Sequence, residues 1–173
     1  MSIVLLSVGN ILEKDDGIAI YATKFLRENY AFTPDIEIID GGVEGINLLN
    51  LFIEKEHIII LDAIEIEDTP GSIYHIPSDE LTGYGLNSGG AHELGVLQCF
   101  DILELLGKRA PKSSVIGIVP QSIDVMIGVS ETMRKNFIRY IDTILAVLRK
   151  EGIKSEKRAD ISLDTIISNE ARK

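Results

Sequence analysis

The sequence predicts an α/β fold with three layers, α/β/α, built on a twisted, mostly parallel five-stranded sheet. Short β-branched runs alternate with stretches of helical period along most of the chain. The run His57–Ala63 (HIIILDA) is apolar enough for burial on both faces, as a central parallel strand requires. With 173 residues, 45% hydrophobic and 25% charged, the chain supports one domain with a sizeable core and not a second domain.

Each element has its own signal. Ile3 to Val8 is a buried strand that stops at Gly9-Asn10. From Asp16 to about Asn29, Ile18, Ala19, Ala22, Phe25 and Leu26 recur at helical spacing, with Asp15 or Asp16 placed to cap the helix. Ile36 to Ile39 is the second strand, closed by Asp40-Gly41-Gly42, and Val43 to Ile53 is a helix with Ile46, Leu49 and Phe52 on one side. After the third strand, Gly71 to Ile76 is a weaker one suited to antiparallel pairing at an edge. Pro77 to Ala91 is a long polar, glycine-rich loop of the kind kept for function. A helix from His92 to Gly107, a strand from Ser114 to Val119 and a long amphipathic helix from Ser130 to Lys150 complete the domain, residues 1–150. Residues 151–173 are charged and weakly amphipathic, and read as a loosely docked C-terminal extension.

The net charge is −10 and the isoelectric point about 4.7. An acidic surface repels phosphate backbones and anionic lipid, which argues against nucleic acid and membranes and for a protein partner or a cation. Cys99 is the only cysteine, so no intramolecular disulfide can form, in keeping with a cytoplasmic protein. The apolar N-terminus lacks the basic region and cleavage site of a signal peptide, and no apolar run reaches the roughly 18 residues of a membrane helix.

In open α/β sheets ligands bind beyond the carboxyl ends of the strands. Asp16 follows the first strand, Asp40 ends the second and Asp62 ends the third, so three carboxylates collect on one rim. His92, opening a helix after the long loop, is within reach of the same rim. Asp16, Asp62 and His92 together suit a divalent transition metal such as nickel or zinc. The same residues also read as a helix cap, a strand-end turn residue and a first-turn helix residue, and spacing alone leaves both readings open. A phosphate site is disfavoured, because the Gly9 turn has neither glycine-rich phosphate motif and carries Glu13, Asp15 and Asp16 instead. Cys99 lies two turns after His92, which makes a thiol–imidazole pair conceivable. Its neighbours Val96, Leu97, Phe100 and Leu103 point rather to a packing cysteine. His57 and His75 read as structural. Neither H-E-x-x-H nor G-x-S-x-G is present.

At these residues the chain resembles the hydrogenase maturation proteases, from Ile3 to about Leu148. VGNILEKDDGIA resembles the family's opening strand, Gly-Asn and acidic helix start; IIDGGVEG its Asp-Gly-Gly loop; IIILDAI its third strand. GGAHELGVLQCFDILELLG resembles the helix bearing its histidine, and IGIVPQSIDVMIGVSETM the late Gly-Ile-x-Pro strand and the loop after it. Five motifs in order at natural spacing are specific where each alone is weak. The chain departs from the pattern at Ser7, Glu44, Ala91, Val119 and Val129, none of them a ligand position.

The resemblance implies a phosphorylase/hydrolase-like fold. It implies an endopeptidase that removes the C-terminal peptide from the nickel-loaded precursor of a nickel–iron hydrogenase large subunit. Asp16, Asp62 and His92 would contact a nickel ion that the precursor supplies, with no permanently bound cofactor. Asp40 matches the family's loop aspartate and is the candidate general base. Two alternatives remain: a non-enzymatic nickel-sensing chaperone on the same fold with the same three ligands, and a peptidase of other specificity using His92 and Cys99.

Overall fold

The computed structural model describes residues 2–80 and 91–173, and the side chains of these residues except Ile46 and 91–97. The expected loop over 77–91 falls largely outside the described residues. In chain order the elements are β1 (Ile3–Ser7), α1 (Ile18–Asn29), β2 (Tyr30–Thr33), β3 (Glu37–Asp40), α2 (Leu49–Glu54), β4 (His57–Ala63), β5 (Ile73–Pro77), α3 (Ala91–Leu105), β6 (Lys112–Ile118), α4 (Glu131–Lys150), β7 (Lys154–Lys157) and α5 (Leu163–Ala171). Single 3-10 turns, Lys14–Gly17 and Gly45–Leu48, precede α1 and α2.

The main sheet has the order β3-β1-β4-β6-β5. Its first four strands are parallel and β5 closes the edge antiparallel to β6, as its weaker pattern foretold. Alternation along each strand sorts side chains into two cores. Ile3 and Leu5 of β1, Ile59 and Leu61 of β4 and Ile116 of β6 pack with α1, α4 and α5. Val4, Leu6, Ile58, Ile60 and Val115 pack on the other face with Phe52 of α2 and Cys99 and Leu103 of α3. All seven residues of β4 are buried, which is why its sequence shows no polar face.

The C-terminal residues depart from the loose docking expected of them. β7 pairs antiparallel with β2, Tyr30 opposite Lys157, in a small second sheet. Buried Asn29 donates from its side-chain amide to the Ile161 carbonyl (2.9 Å) and accepts from the Ile161 N–H (2.7 Å). Ile153, Ile166 and Ile167 are buried in the core shared with α1 and α4, and Arg134 of α4 pairs with Asp164 of α5. The charged residues face water while three isoleucines carry the docking, a pattern too sparse to register as amphipathic. The helix expected over 43–53 is shortened to α2, because Gly45 at φ +53° starts a 3-10 turn first.

Candidate active site

The turn after β1 places two adjacent aspartates in different roles. At Gly9 a side chain is impossible: an added Cβ would lie 2.2 Å from the Asp16 carbonyl oxygen. That close approach seats the Lys14–Gly17 turn against the carboxyl ends of β1 and β4. Within it Lys14 adopts a left-handed φ of +51°, a backbone strain of the kind found at functional sites. The buried Asp16 accepts a hydrogen bond from the Asn10 N–H at 2.9 Å. Neither aspartate caps α1, whose start has no side-chain cap bond.

Asp15 turns inward instead and is fully buried. Its Oδ2 accepts from the Gln121 N–H (2.9 Å), the Ser122 N–H (3.0 Å) and the Ser130 hydroxyl (2.7 Å). Its Oδ1 accepts from the Ser130 N–H (2.6 Å). Ser130 is the N-cap of α4. One carboxylate thus anchors the whole 121–130 loop, and charge-assisted bonds of this sort are the strong ones. The loop also pairs with the chain before the turn: the Met126 N–H donates to the Leu12 carbonyl (2.9 Å) and the Lys14 N–H to the Met126 carbonyl (2.8 Å). Sequence reasoning missed this hub. The available signal was the Asp-Asp pair itself, together with a serine opening a helix at residue 130.

Asp62 is the penultimate residue of β4 and is buried, opposite Gly117 of β6. By strand alternation it shares the face of Ile58 and Ile60, the face covered by α2 and α3. Asp101 and Glu104, late in α3, line a cleft with His57 and Lys112, which begin β4 and β6. The end of α3 therefore lies at the amino ends of the parallel strands. Its first turn, roughly 20 Å back along the axis, lies at the carboxyl-end rim where Asp16 and Asp62 stand. That turn carries His92, whose side chain lies outside the described residues. Among the described residues no group of three metal-ligating side chains is assembled.

Asp40 stands at the carboxyl-end rim as expected, but on the other face of the sheet from Asp62. It ends β3, two strands from Asp62 and so about 10 Å away across the sheet. In register with Ser7 and Leu61, it points to the α1 face rather than the α2–α3 face. One oxygen accepts from the Gly42 N–H (3.0 Å), and the other faces the Lys24 ammonium at 3.6 Å. Lys24 also meets Glu170 of α5 at 3.3 Å.

Cys99 is fully buried among Phe52, Leu103 and their neighbours, and desolvation pushes its thiol up to about 11. The thiolate, not the thiol, is the nucleophile, so this environment opposes a catalytic role. His57 is buried at the start of β4, at the amino ends of the parallel strands, and His75 of the edge strand β5 hydrogen-bonds the Ser114 hydroxyl at 2.9 Å. A cleft of about 380 Å³ does open at the rim, between the segment after β4 (Glu65 to Asp68) and the segment after β6 (Val119 to Ile123).

The profile of the hydrogenase maturation protease family matches residues 20–147. The chain belongs to that family. It is 30% identical over 162 residues to the hydrogenase 2 maturation protease of Escherichia coli, a match covering 93% of this chain and 99% of the relative. It is 30% identical to the hydrogenase expression/formation protein HupD of Bradyrhizobium diazoefficiens, over 91% of this chain and 83% of that one. Among solved structures, the hydrogenase maturating endopeptidase HybD from Escherichia coli superposes with a TM-score of 0.83, covering 93% of this chain and all of its own. The nickel–iron hydrogenase maturation protease HybD from Thermococcus kodakarensis gives 0.67 at 26% identity, over 85% of this chain and 99% of that one. A hydrogenase maturation protease is a peptide-bond hydrolase, and the α/β/α sheet described above is the family's. Among the described residues no helix is long and apolar enough to cross a membrane.

Proposed function

We propose that this protease removes the C-terminal peptide from the nickel-loaded precursor of a nickel–iron hydrogenase large subunit, and that Asp16, Asp62 and His92 read the nickel. The observation that supports it best is the pairing of two buried carboxylates, Asp16 and Asp62, at the carboxyl ends of neighbouring strands. His92 opens α3, the helix that packs on the face Asp62 shares, which supports its inclusion. Two carboxylates at one rim attract a metal ion carried by the substrate. An N/O donor set with positions left open suits nickel. The precursor's own ligands supply the remainder, which makes tight binding conditional on loading. The metal is thus part of the substrate, and no resident cofactor is proposed.

Hydrolysis has two candidate routes. In one, the substrate's nickel polarises the scissile carbonyl as a Lewis acid. In the other, Asp40 activates water as a general base. The position of Asp40 on the α1 face, with its oxygens occupied by Gly42 and Lys24, favours the first. Asp40→Asn decides between them: under the first route turnover survives, and under the second it is abolished with precursor binding retained.

Residues 1–150 are proposed to carry the chemistry, residues 151–173 contributing packing and no ligand. A cytoplasmic location is also proposed, in keeping with a single free thiol. The deciding experiment incubates the enzyme with nickel-loaded and nickel-free precursor and reads the C-terminal mass of the product. Cleavage of loaded precursor alone is expected, and free nickel added to the protease does not replace it. Asp16→Asn, Asp62→Asn and His92→Ala each weaken capture of loaded precursor. Efficient cleavage of nickel-free precursor would overturn the assignment. Binding without any cleavage would point to the nickel-sensing chaperone.

A further inference from the structure

Around the turn that carries Asp16, apolar side chains stand in the open. Leu12, Ile123, Met126 and Ile127 are between 43% and 56% exposed, and Val125 is 88% exposed. They are contiguous in the fold, since Met126 and Leu12 are joined by backbone hydrogen bonds and Lys14 bonds back to Met126. Nor is the loop free to fold them inward, because the buried Asp15 carboxylate holds Gln121, Ser122 and Ser130 in place. Exposed apolar residues that are grouped, held rigid and set beside a candidate site mark an interaction surface rather than ordinary scatter.

We propose that this platform, Leu12 with residues 123–127, is where the large-subunit precursor docks, and that the precursor presents to it an apolar segment bordered by basic residues. The proposal rests on the reading of the chain as a precursor protease. Two observations select this occupant. The platform is continuous with the site: Lys14, bonded to Met126, is two residues from Asp16 within one 3-10 turn, so a chain lying on the platform is led to the rim. The border is acidic: Asp124 lies within the loop and Glu13 beside Met126, while Glu65, Glu67 and Asp68 line the adjoining cleft together with Ile123. In a chain of net charge −10 such a border attracts a basic partner and repels another copy of itself.

The test is the dissociation constant for immobilised nickel-loaded precursor, measured by interferometry for the full-length wild type, Val125→Glu, Val125→Lys and Ile138→Lys. Val125 is exposed enough that neither charge disturbs packing, and Ile138 is a 56% exposed control on α4. Val125→Lys is expected to weaken binding at least tenfold, and more than Val125→Glu, because its charge repels the basic border of the precursor. Ile138→Lys is expected to bind as wild type does, and circular dichroism confirms folding in each case. A Val125→Lys protein that binds within twofold of a wild type that cleaves overturns the platform and leaves the protease reading standing. A wild type that neither binds nor cleaves the loaded precursor overturns that reading, and the platform's occupant with it. Sedimentation showing a wild-type dimer that Val125→Lys dissociates would assign the surface to a second copy instead.

Discussion

Replacing Asp15 by asparagine or alanine tests the separate role of a carboxylate adjacent to Asp16. In the wild type four donors converge on Asp15, two of them from buried Ser130. In Asp15→Ala the Gln121 and Ser122 amides can turn to water, but the Ser130 N–H and hydroxyl are left orphaned. At about 1–3 kcal/mol for each orphaned donor, the loss is roughly 2–6 kcal/mol. For a domain of this size each kcal/mol corresponds to about 2–4 °C, so a mid-range loss lowers the melting temperature by ~12 °C. Asp15→Asn keeps the shape but has one acceptor oxygen in place of two. Its amide N–H must then face a donor, the Ser130 N–H now 2.6 Å from Oδ1 or those around Oδ2. A loss of about 1–3 kcal/mol is expected. Asp16→Asn can still accept from Asn10 and should stay within about 1 kcal/mol of wild type while losing precursor binding. Thermal and urea unfolding followed by circular dichroism give the stabilities. If Asp15→Asn and Asp15→Ala both unfold within about 1 kcal/mol of wild type, the anchoring role of Asp15 is refuted.

Three further outcomes are expected. Truncation after Lys150 removes Ile153, Ile166 and Ile167 from the core, worth roughly 4–9 kcal/mol by burial, and should leave little folded protein by calorimetry. Cys99→Ser should retain cleavage, and the wild-type thiol should resist alkylation at pH 8 until the protein is denatured, since burial lifts it to about 11. A thiol raised in the fold favours the folded state below its unfolded value, and that contribution is lost as the pH climbs toward 11. Burial pushes His57 down, so its contribution is present above the unfolded histidine value of about 6.5 and is lost as the pH falls below it. His57→Gln should accordingly flatten the decline in melting temperature between about pH 7 and 5.

Where hydrophobic period and burial coincide, the chain could be read directly. β4 was legible to the residue because every position is buried. α4 was legible to within one residue, because its apolar period runs its whole length, and Ser130, read as its first residue, is its N-cap. β7 was invisible, since KSEK is exposed throughout and its pairing with β2 is carried by backbone bonds that leave no apolar pattern. At the site, strand ends located Asp16, Asp40 and Asp62 on one rim, because a parallel sheet gathers its carboxyl ends. What they could not show is the face each side chain takes. Asp40 and Asp62 differ in that respect by a single residue of register, since Asp40 is level with Leu61 across β1. Nor could the sequence show what Asp15 does, for its partners lie in a loop more than a hundred residues later.

The pairing of β2 with β7 sets an order on the ribosome. Residues 34–153 must be made between the two strands, which at 5–20 residues per second takes roughly 6 to 24 s. Throughout that interval Tyr30 and Phe32 wait on an open strand edge, and α1 lacks the cover that α5 later gives it. The nascent chain carries its carboxylate rim early and completes the scaffold behind it last. An unpaired strand edge of this kind is a template for wrong pairing until β7 covers it.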